Sequence, residues 1–147
     1  MSIWWSLHLR REAASVPLAR RLLLGAMETA GVDPDISFDL ALALTEACAN
    51  AVEYGGDTTT DDYRVTAFID GDQCRIEVID SGPGFRGNLD SRQRGPHAPL
   101  RAEGGRGLFL IESLADHVDI HNREGRGAVV SFGKILKWRE GALLAAS

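Results

Sequence analysis

Residues 63–80 read YRVTAFIDGDQCRIEVID. Two runs, 63–69 and 74–79, are rich in β-branched and aromatic residues and alternate apolar with polar positions. Alternation of period two marks strands with one buried face, and the Asp70-Gly71 pair between them marks a hairpin turn. Neighbouring strands joined by a tight turn argue against a doubly wound parallel sheet, in which strands and helices alternate.

The flanking sequence fits the same reading. Upstream, 4–10 alternates loosely as a short strand. Ser15 is expected as the N-cap of a helix over about 16–30, with Pro17 in its first turn and Gly31 as its stop. A second helix is expected over about 36–54, closed by Gly55-Gly56, and polar residues 57–62 form a loop. Downstream, residues 82–105 have no periodicity and carry Gly82, Pro83, Gly84, Gly87, Gly95, Pro96 and Pro99. A loop of that length inside a compact domain is functional or disordered. A third helix follows over about 107–115, then a hairpin of 117–121 and 128–135 around residues 124–127. The stretch after Lys137 is expected to be a short helix or frayed. The order is β-α-α-β-β-loop-α-β-β. It predicts an α+β fold: one domain over 1–147, a two-layer α/β sandwich with a mixed, mostly antiparallel sheet and helices on one face.

Composition narrows the function. The chain has 147 residues, 44% of them hydrophobic and 25% charged, which is enough apolar material for one core and not the make-up of a disordered segment. Its net charge of −5 weighs against direct nucleic-acid binding by phosphate neutralisation. No apolar run approaches the roughly 20 residues a membrane span needs. The start, MSIWWSLHLRRE, lacks the pattern of a secretory signal. Cys48 and Cys74 form no CxxC pair, so a cytoplasmic location and inert buried thiols are expected.

Three short stretches carry the chemistry. On the second helix, Leu40, Leu44, Ala47, Cys48, Ala51 and Val52 make an apolar stripe, while Asp39, Glu46, Asn50 and Glu53 fall on the other side. Glu46 and Asn50 are i and i+4, hence neighbours. A carboxylate can take a proton from a hydroxyl nucleophile, and an amide oxygen can ligate a hard cation such as magnesium. A solvated helix face is the plainer account of the same residues. Next, the strand 76–79 delivers Asp80 to the start of Ser81-Gly82-Pro83-Gly84. A carboxylate at a strand end can accept a hydrogen bond from an exocyclic amine such as that of adenine, and Gly82 and Gly84 let the backbone pass close to a flat base. An Asp-capped turn needs no ligand at all. Finally, Glu103-Gly104-Gly105-Arg106-Gly107 opens the third helix at Leu108, where free N–H groups and the helix dipole favour phosphate. It lacks the P-loop signature.

Each signal alone is weak, and their order is specific. E-A-C-A-N at 46–50, D-S-G-P-G at 80–84 and G-G-R-G-L-F-L-I at 104–111 resemble the N, G1 and G2 boxes of the GHKL ATPases. The small size and the run through 105–116 resemble the bacterial anti-sigma-factor serine kinases within that superfamily. The likeness covers about residues 5–135. It implies a sandwich that holds ATP between sheet and helices, with Asn50 ligating Mg²⁺ and Glu46 acting as base. Asp80 would hold the adenine amine with Gly82 and Gly84 beside it. Gly104, Gly105, Arg106, Gly107 and Leu108 would hold phosphates, and 86–103 would form the ATP lid. One departure is Tyr54-Gly55, where many relatives carry His-Gly or His-Ala.

The resemblance implies an ATP-dependent serine/threonine protein kinase that sequesters a sigma factor and phosphorylates a STAS-type anti-sigma-factor antagonist. It also implies a homodimer, for which the aromatic N-terminal edge at Trp4 and Trp5 is the expected place. The competing reading is a nucleotide-gated binding module with little or no kinase activity. His117 and His121 share a strand face but stand about 13 Å apart at 3.3 Å per residue, too far for one metal.

Overall fold

A computed structural model of the chain describes residues 2–54, 62–80, 105–123 and 127–141. Strand β1 (Ser2–Arg10) leads to helices α1 (Ser15–Ala30) and α2 (Pro34–Tyr54), then to strands β2 (Asp62–Asp70) and β3 (Gln73–Asp80). Helix α3 (Gly105–Leu114) precedes strands β4 (His117–Arg123) and β5 (Gly127–Ile135). The five strands form one sheet in the order β1-β2-β3-β5-β4, and every neighbouring pair is antiparallel. The expected α+β sandwich is therefore present, with the sheet fully antiparallel rather than mixed. The reason is the helical hairpin. Helix α2 retraces α1, so the chain re-enters the sheet where β1 left it, and Arg10 pairs with Asp62.

Helix α2 is the hub of the helical layer, packing on α1, on α3 and on β3. Its buried residues are Ile36, Ser37, Leu40, Ala41, Ala43, Leu44, Ala47, Cys48, Asn50 and Ala51. At about 100° per residue they cover roughly half of the helix circumference. That is wider than one apolar stripe, because the helix has three neighbours. Beneath it, Cys74, Ile76, Val78 and Asp80 alternate as the buried residues of β3, so they share the helix-covered face. Leu23, Met27, Val65, Ile111 and Phe132 belong to the same core.

Local signals show why the elements begin and end where they do. Gly31 adopts a left-handed φ of 93° after α1, where its N–H and that of Val32 both reach Met27 O at 3.0 Å. Such a residue needs no Cβ, and the two bonds satisfy carbonyls the helix leaves open. Helix α2 begins earlier than expected, at Pro34, and Asp33 Oδ1 accepts from the Asp35 N–H at 2.8 Å. Proline at the first helical position and a preceding aspartate are start signals the hydrophobic period does not contain.

Three expectations are corrected. Ser15 is the first residue of α1 and caps nothing; Ala14 is the N-cap residue and makes no side-chain bond. The β2–β3 loop is Gly71-Asp72, one residue later than Asp70-Gly71, since Asp70 still pairs with Gln73. Residues after β5 return in extended form: Trp138 bridges Val32, and Lys137 O accepts from the Asp33 N–H at 2.7 Å. Trp138 Nε1 donates to Asp72 Oδ1 at 2.9 Å, which anchors the segment over the hairpin loop.

Candidate nucleotide site

Two tethers fix the ends of the helices against the sheet. At one end, Lys134 Nζ donates to Leu114 O, the last carbonyl of α3, at 2.7 Å and lies 3.9 Å from Asp39 on the first half of α2. Lys134 pairs with Cys74 near the start of β3. A cation at a helix C-terminus complements the dipole. At the other end, Arg11 follows β1 and donates to the carbonyls of Ala51 and Val52 in the last turn of α2, at 3.3 and 3.1 Å. The same end of the sheet holds Leu9, Tyr63 and Asp80, since Leu9 pairs with Tyr63 and Tyr63 with Asp80.

Glu46 and Asn50 on α2 thus approach the end of the sheet where β3 finishes at Asp80. Helix α3 has its C-terminus at the Lys134 end, so its N-terminus points the other way, towards that same end of the sheet. The backbone of Gly105, Arg106, Gly107 and Leu108 forms the first turn of α3, two residues earlier than the sequence suggests. Its leading N–H groups have no partners within the helix. A helix carboxylate and amide, a strand-end carboxylate and a helix N-terminus therefore stand at one end of the sandwich. Gly82, Gly84 and Gly104 lie outside the described residues, as does the stretch 86–103 expected as a lid.

Asn50 and Asp80 differ from ordinary surface polar groups. Asn50 is 6% exposed and Asp80 4%. Asn50 Nδ2 is buried and meets no hydrogen-bond partner among the described residues. Leaving a buried amide unpaired costs about 1–3 kcal/mol, so such a group calls for a partner. A half-turn of the amide plane exchanges N and O and presents Oδ1 instead, the hard oxygen ligand that magnesium takes. Glu46, one turn away, is half-buried. The donor set fits a magnesium–nucleotide: one amide oxygen for the cation, helix N–H groups for phosphate, and a buried carboxylate for an amine.

Behind Asp80 lies a buried polar cluster that periodicity does not reveal. Tyr63 Oη lies 2.5 Å from Ser15 Oγ, and Ser15 Oγ donates to Glu12 O at 2.8 Å. The Cys48 thiol hydrogen-bonds to Tyr63. Burial pushes Cys48 up to about 12, partly offset by the Tyr63 hydroxyl, and burial alone pushes Cys74 up to about 12. Both thiols are free and buried, as expected, and stay protonated and unreactive. Tyr63 is also pushed well above the ordinary phenol range, chiefly by burial. The only sequence signal for this cluster was an aromatic hydroxyl on an inward strand position, which must find a partner.

His117 and His121 are exposed on the outer strand β4, with His121 Nδ1 3.1 Å from Asp119. Among the described residues no group of metal-ligating side chains converges, and no helix is long and apolar enough to cross a membrane.

Known proteins resemble this chain in sequence and in fold. Residues 9–134 match the histidine kinase-like ATPase domain family. The serine-protein kinase RsbW of Bacillus licheniformis is 34% identical over 128 residues, covering 82% of this chain and 78% of that protein. The protein of the same name in Listeria monocytogenes is 31% identical over 132 residues, covering 86% and 84%. A crystal structure of the RsbU and RsbW domains of a Mycobacterium tuberculosis protein superposes with a TM-score of 0.67 at 23% identity. It covers 92% of this chain, which spans 34% of that longer one, and it speaks for the fold. The match along nearly the whole domain and the two-layer architecture lead to one conclusion: the chain belongs to the histidine kinase-like ATPase (GHKL) family, on its RsbW-like branch.

Proposed function

We propose that the protein is an ATP-dependent serine/threonine protein kinase that binds a sigma factor and phosphorylates a STAS-type anti-sigma-factor antagonist. The observation that carries the reading is the buried, unpartnered amide of Asn50, set one helical turn from Glu46 at the sheet end where Asp80 is buried. The names of the relatives, serine-protein kinases, support the reaction class.

In this reading Asn50 holds Mg²⁺ through its amide oxygen, Asp80 accepts from the adenine amine, and the first turn of α3 at Gly105–Leu108 receives the phosphates. Gly82, Gly84, Gly104 and Arg106 line the same ligand. Bound Mg²⁺ supplies charge neutralisation for the phosphates. Glu46 orients the serine or threonine hydroxyl of the antagonist and takes its proton as the oxygen bonds to the γ-phosphorus, while the bond from that phosphorus to the ADP oxygen breaks. Most of the work left to the protein is positioning. The sigma factor and the antagonist are protein partners of a cytoplasmic homodimer. We assign the dimer contact to the β1 edge, where Trp4 is 67% exposed.

Incubation with Mg-ATP and a small STAS-domain antagonist, followed by intact-mass measurement, tests this. Wild type adds one phosphate to the antagonist. Glu46→Ala lowers transfer by about 10²-fold or more while still binding nucleotide. Asn50→Ala weakens Mg-ATP far more than magnesium-free ATP. Wild type that binds ATP without modifying any antagonist would favour a nucleotide-gated binding module, and Glu46→Ala that transfers at the wild-type rate would remove the base.

A further inference from the structure

Arg11 and the Ser15–Tyr63–Cys48 cluster lie outside the groups that touch a nucleotide, yet they flank the site on both sides. Arg11 grips the carbonyls of Ala51 and Val52, the residues that follow Asn50 on α2. Four residues further along the chain, the Ser15 hydroxyl donates to the Glu12 carbonyl and meets the Tyr63 hydroxyl. Tyr63 is the residue directly opposite Asp80 in the β2–β3 ladder. Cys48, two residues before Asn50, is buried beside Tyr63 on the α2 side. Both walls are thus held by one short turn, which is itself folded by Glu12 N–H to Arg10 O at 2.8 Å and Ser15 N–H to Glu12 O at 3.0 Å.

The direction of these bonds follows from counting protons. Ser15 has a single hydroxyl hydrogen, and it goes to Glu12 O. Tyr63 must then donate to Ser15 Oγ. The chain runs one way, from Tyr63 on β2 through Ser15 to a backbone carbonyl of the turn, and each donor polarises the next. All three side chains are buried, with Tyr63 at 1% and Cys48 at 0% exposure, so water cannot replace a lost member. A purely stabilising cluster could sit anywhere in the core. This one joins the residue beside Asn50's wall to the residue beside Asp80.

We infer that the β1–α1 turn is a bracket that sets the spacing between α2 and β3 at the nucleotide site, with Arg11 and Tyr63 as positioning residues. The inference rests on the nucleotide reading above, because the spacing matters only if one ligand spans Asn50 and Asp80.

The test compares Arg11→Gln, Arg11→Lys, Tyr63→Phe and Ser15→Ala with Ile69→Val, a core change at the opposite end of β2. Affinity for a fluorescent ATP analogue, thermal midpoint, and amide hydrogen exchange without nucleotide are read for each. Arg11→Gln and Tyr63→Phe are expected to weaken the analogue by about fivefold or more, the worth of one lost hydrogen bond. Arg11→Lys should recover part of that loss. Exchange should quicken in the last turn of α2 for Arg11→Gln and at the start of β2 for Tyr63→Phe. Ile69→Val should lower the midpoint while leaving affinity within about twofold. If Tyr63→Phe does not fold, Ser15→Ala removes the same bond from the other side. The bracket is refuted if the Arg11 and Tyr63 or Ser15 variants bind as wild type does, or if Ile69→Val weakens binding equally. Wild type that binds no purine nucleotide would instead sink the nucleotide reading itself, and the bracket with it.

Discussion

Cys48 and Cys74 show how strongly burial governs chemistry at single positions. Each thiol rises from an ordinary 9.0 to about 12, mainly through loss of water. The consequence for stability has a definite sign. Below pH 9 the thiols are protonated whether the chain is folded or not, and their contribution is intact. As pH climbs from 9 towards 12 the unfolded chain ionises while the folded one cannot, so stability falls. At about 1.4 kcal/mol per pKa unit the loss is on the order of a few kcal/mol per thiol. Urea unfolding across this range should show a midpoint that drops with pH, and the double variant Cys48→Ala/Cys74→Ala should flatten the drop. An unchanged slope in the double variant would contradict the assignment. The sequence anticipated inert thiols from residue type alone. It did not anticipate that Asn50 is buried, since on a helical wheel that residue sits at the margin between Ala43 and Glu46. Helix α2 packs on α3 as well as on α1 and β3, which widens its buried face to include that margin.

Elements begin and end on local chemistry, and here the sequence was informative but incomplete. Gly31 was recognisable as a helix stop, and its left-handed φ of 93° gives the reason. Gly31→Ala is expected to cost about 1–2 kcal/mol, because a Cβ opposes that conformation. Gly31→Asn should cost less, since asparagine tolerates it. Chemical denaturation of the three proteins checks the ranking, and an alanine variant as stable as wild type would count against the capping geometry. Ser15 illustrates the opposite outcome. Its residue type suits an N-cap, yet its hydroxyl turns inward to Glu12 and Tyr63, because a buried phenol 48 residues away in sequence needs an acceptor. Likewise the hairpin loop lies one residue later than Asp70-Gly71 suggests, as the pairing of Asp70 with Gln73 leaves Gly71 and Asp72 in the turn.

For the molecule as a whole, the sheet order β1-β2-β3-β5-β4 leaves β1 and β4 as edges. An edge strand offers unpaired N–H and C=O groups to another chain. The β1 edge is also apolar, with Ile3 at 38% and Trp4 at 67% exposure, and Leu18 and Leu22 are exposed on α1. Ile3→Lys/Trp4→Lys is therefore expected to shift a dimer to a monomer in analytical ultracentrifugation. A monomeric wild type, or a variant that still dimerises, would move the contact elsewhere. Hairpin alternation and the three glycine-bearing boxes were legible in the amino-acid order, because strand period, turn chemistry and short motifs are local properties. From them came the α+β class, the antiparallel pairing and the candidate residues. The insertion of β5 between β3 and β4, the burial of Asn50 and the Arg11–Tyr63 bracket were not legible, because each depends on contacts between residues far apart in the chain. The sequence by itself determined which chemical groups the protein carries; only the tertiary structure decided that Asn50, Asp80 and the start of α3 stand at one end of the sandwich, since packing against α3 and β3 and the tethers at Lys134 and Arg11 set how the helices lie on the sheet.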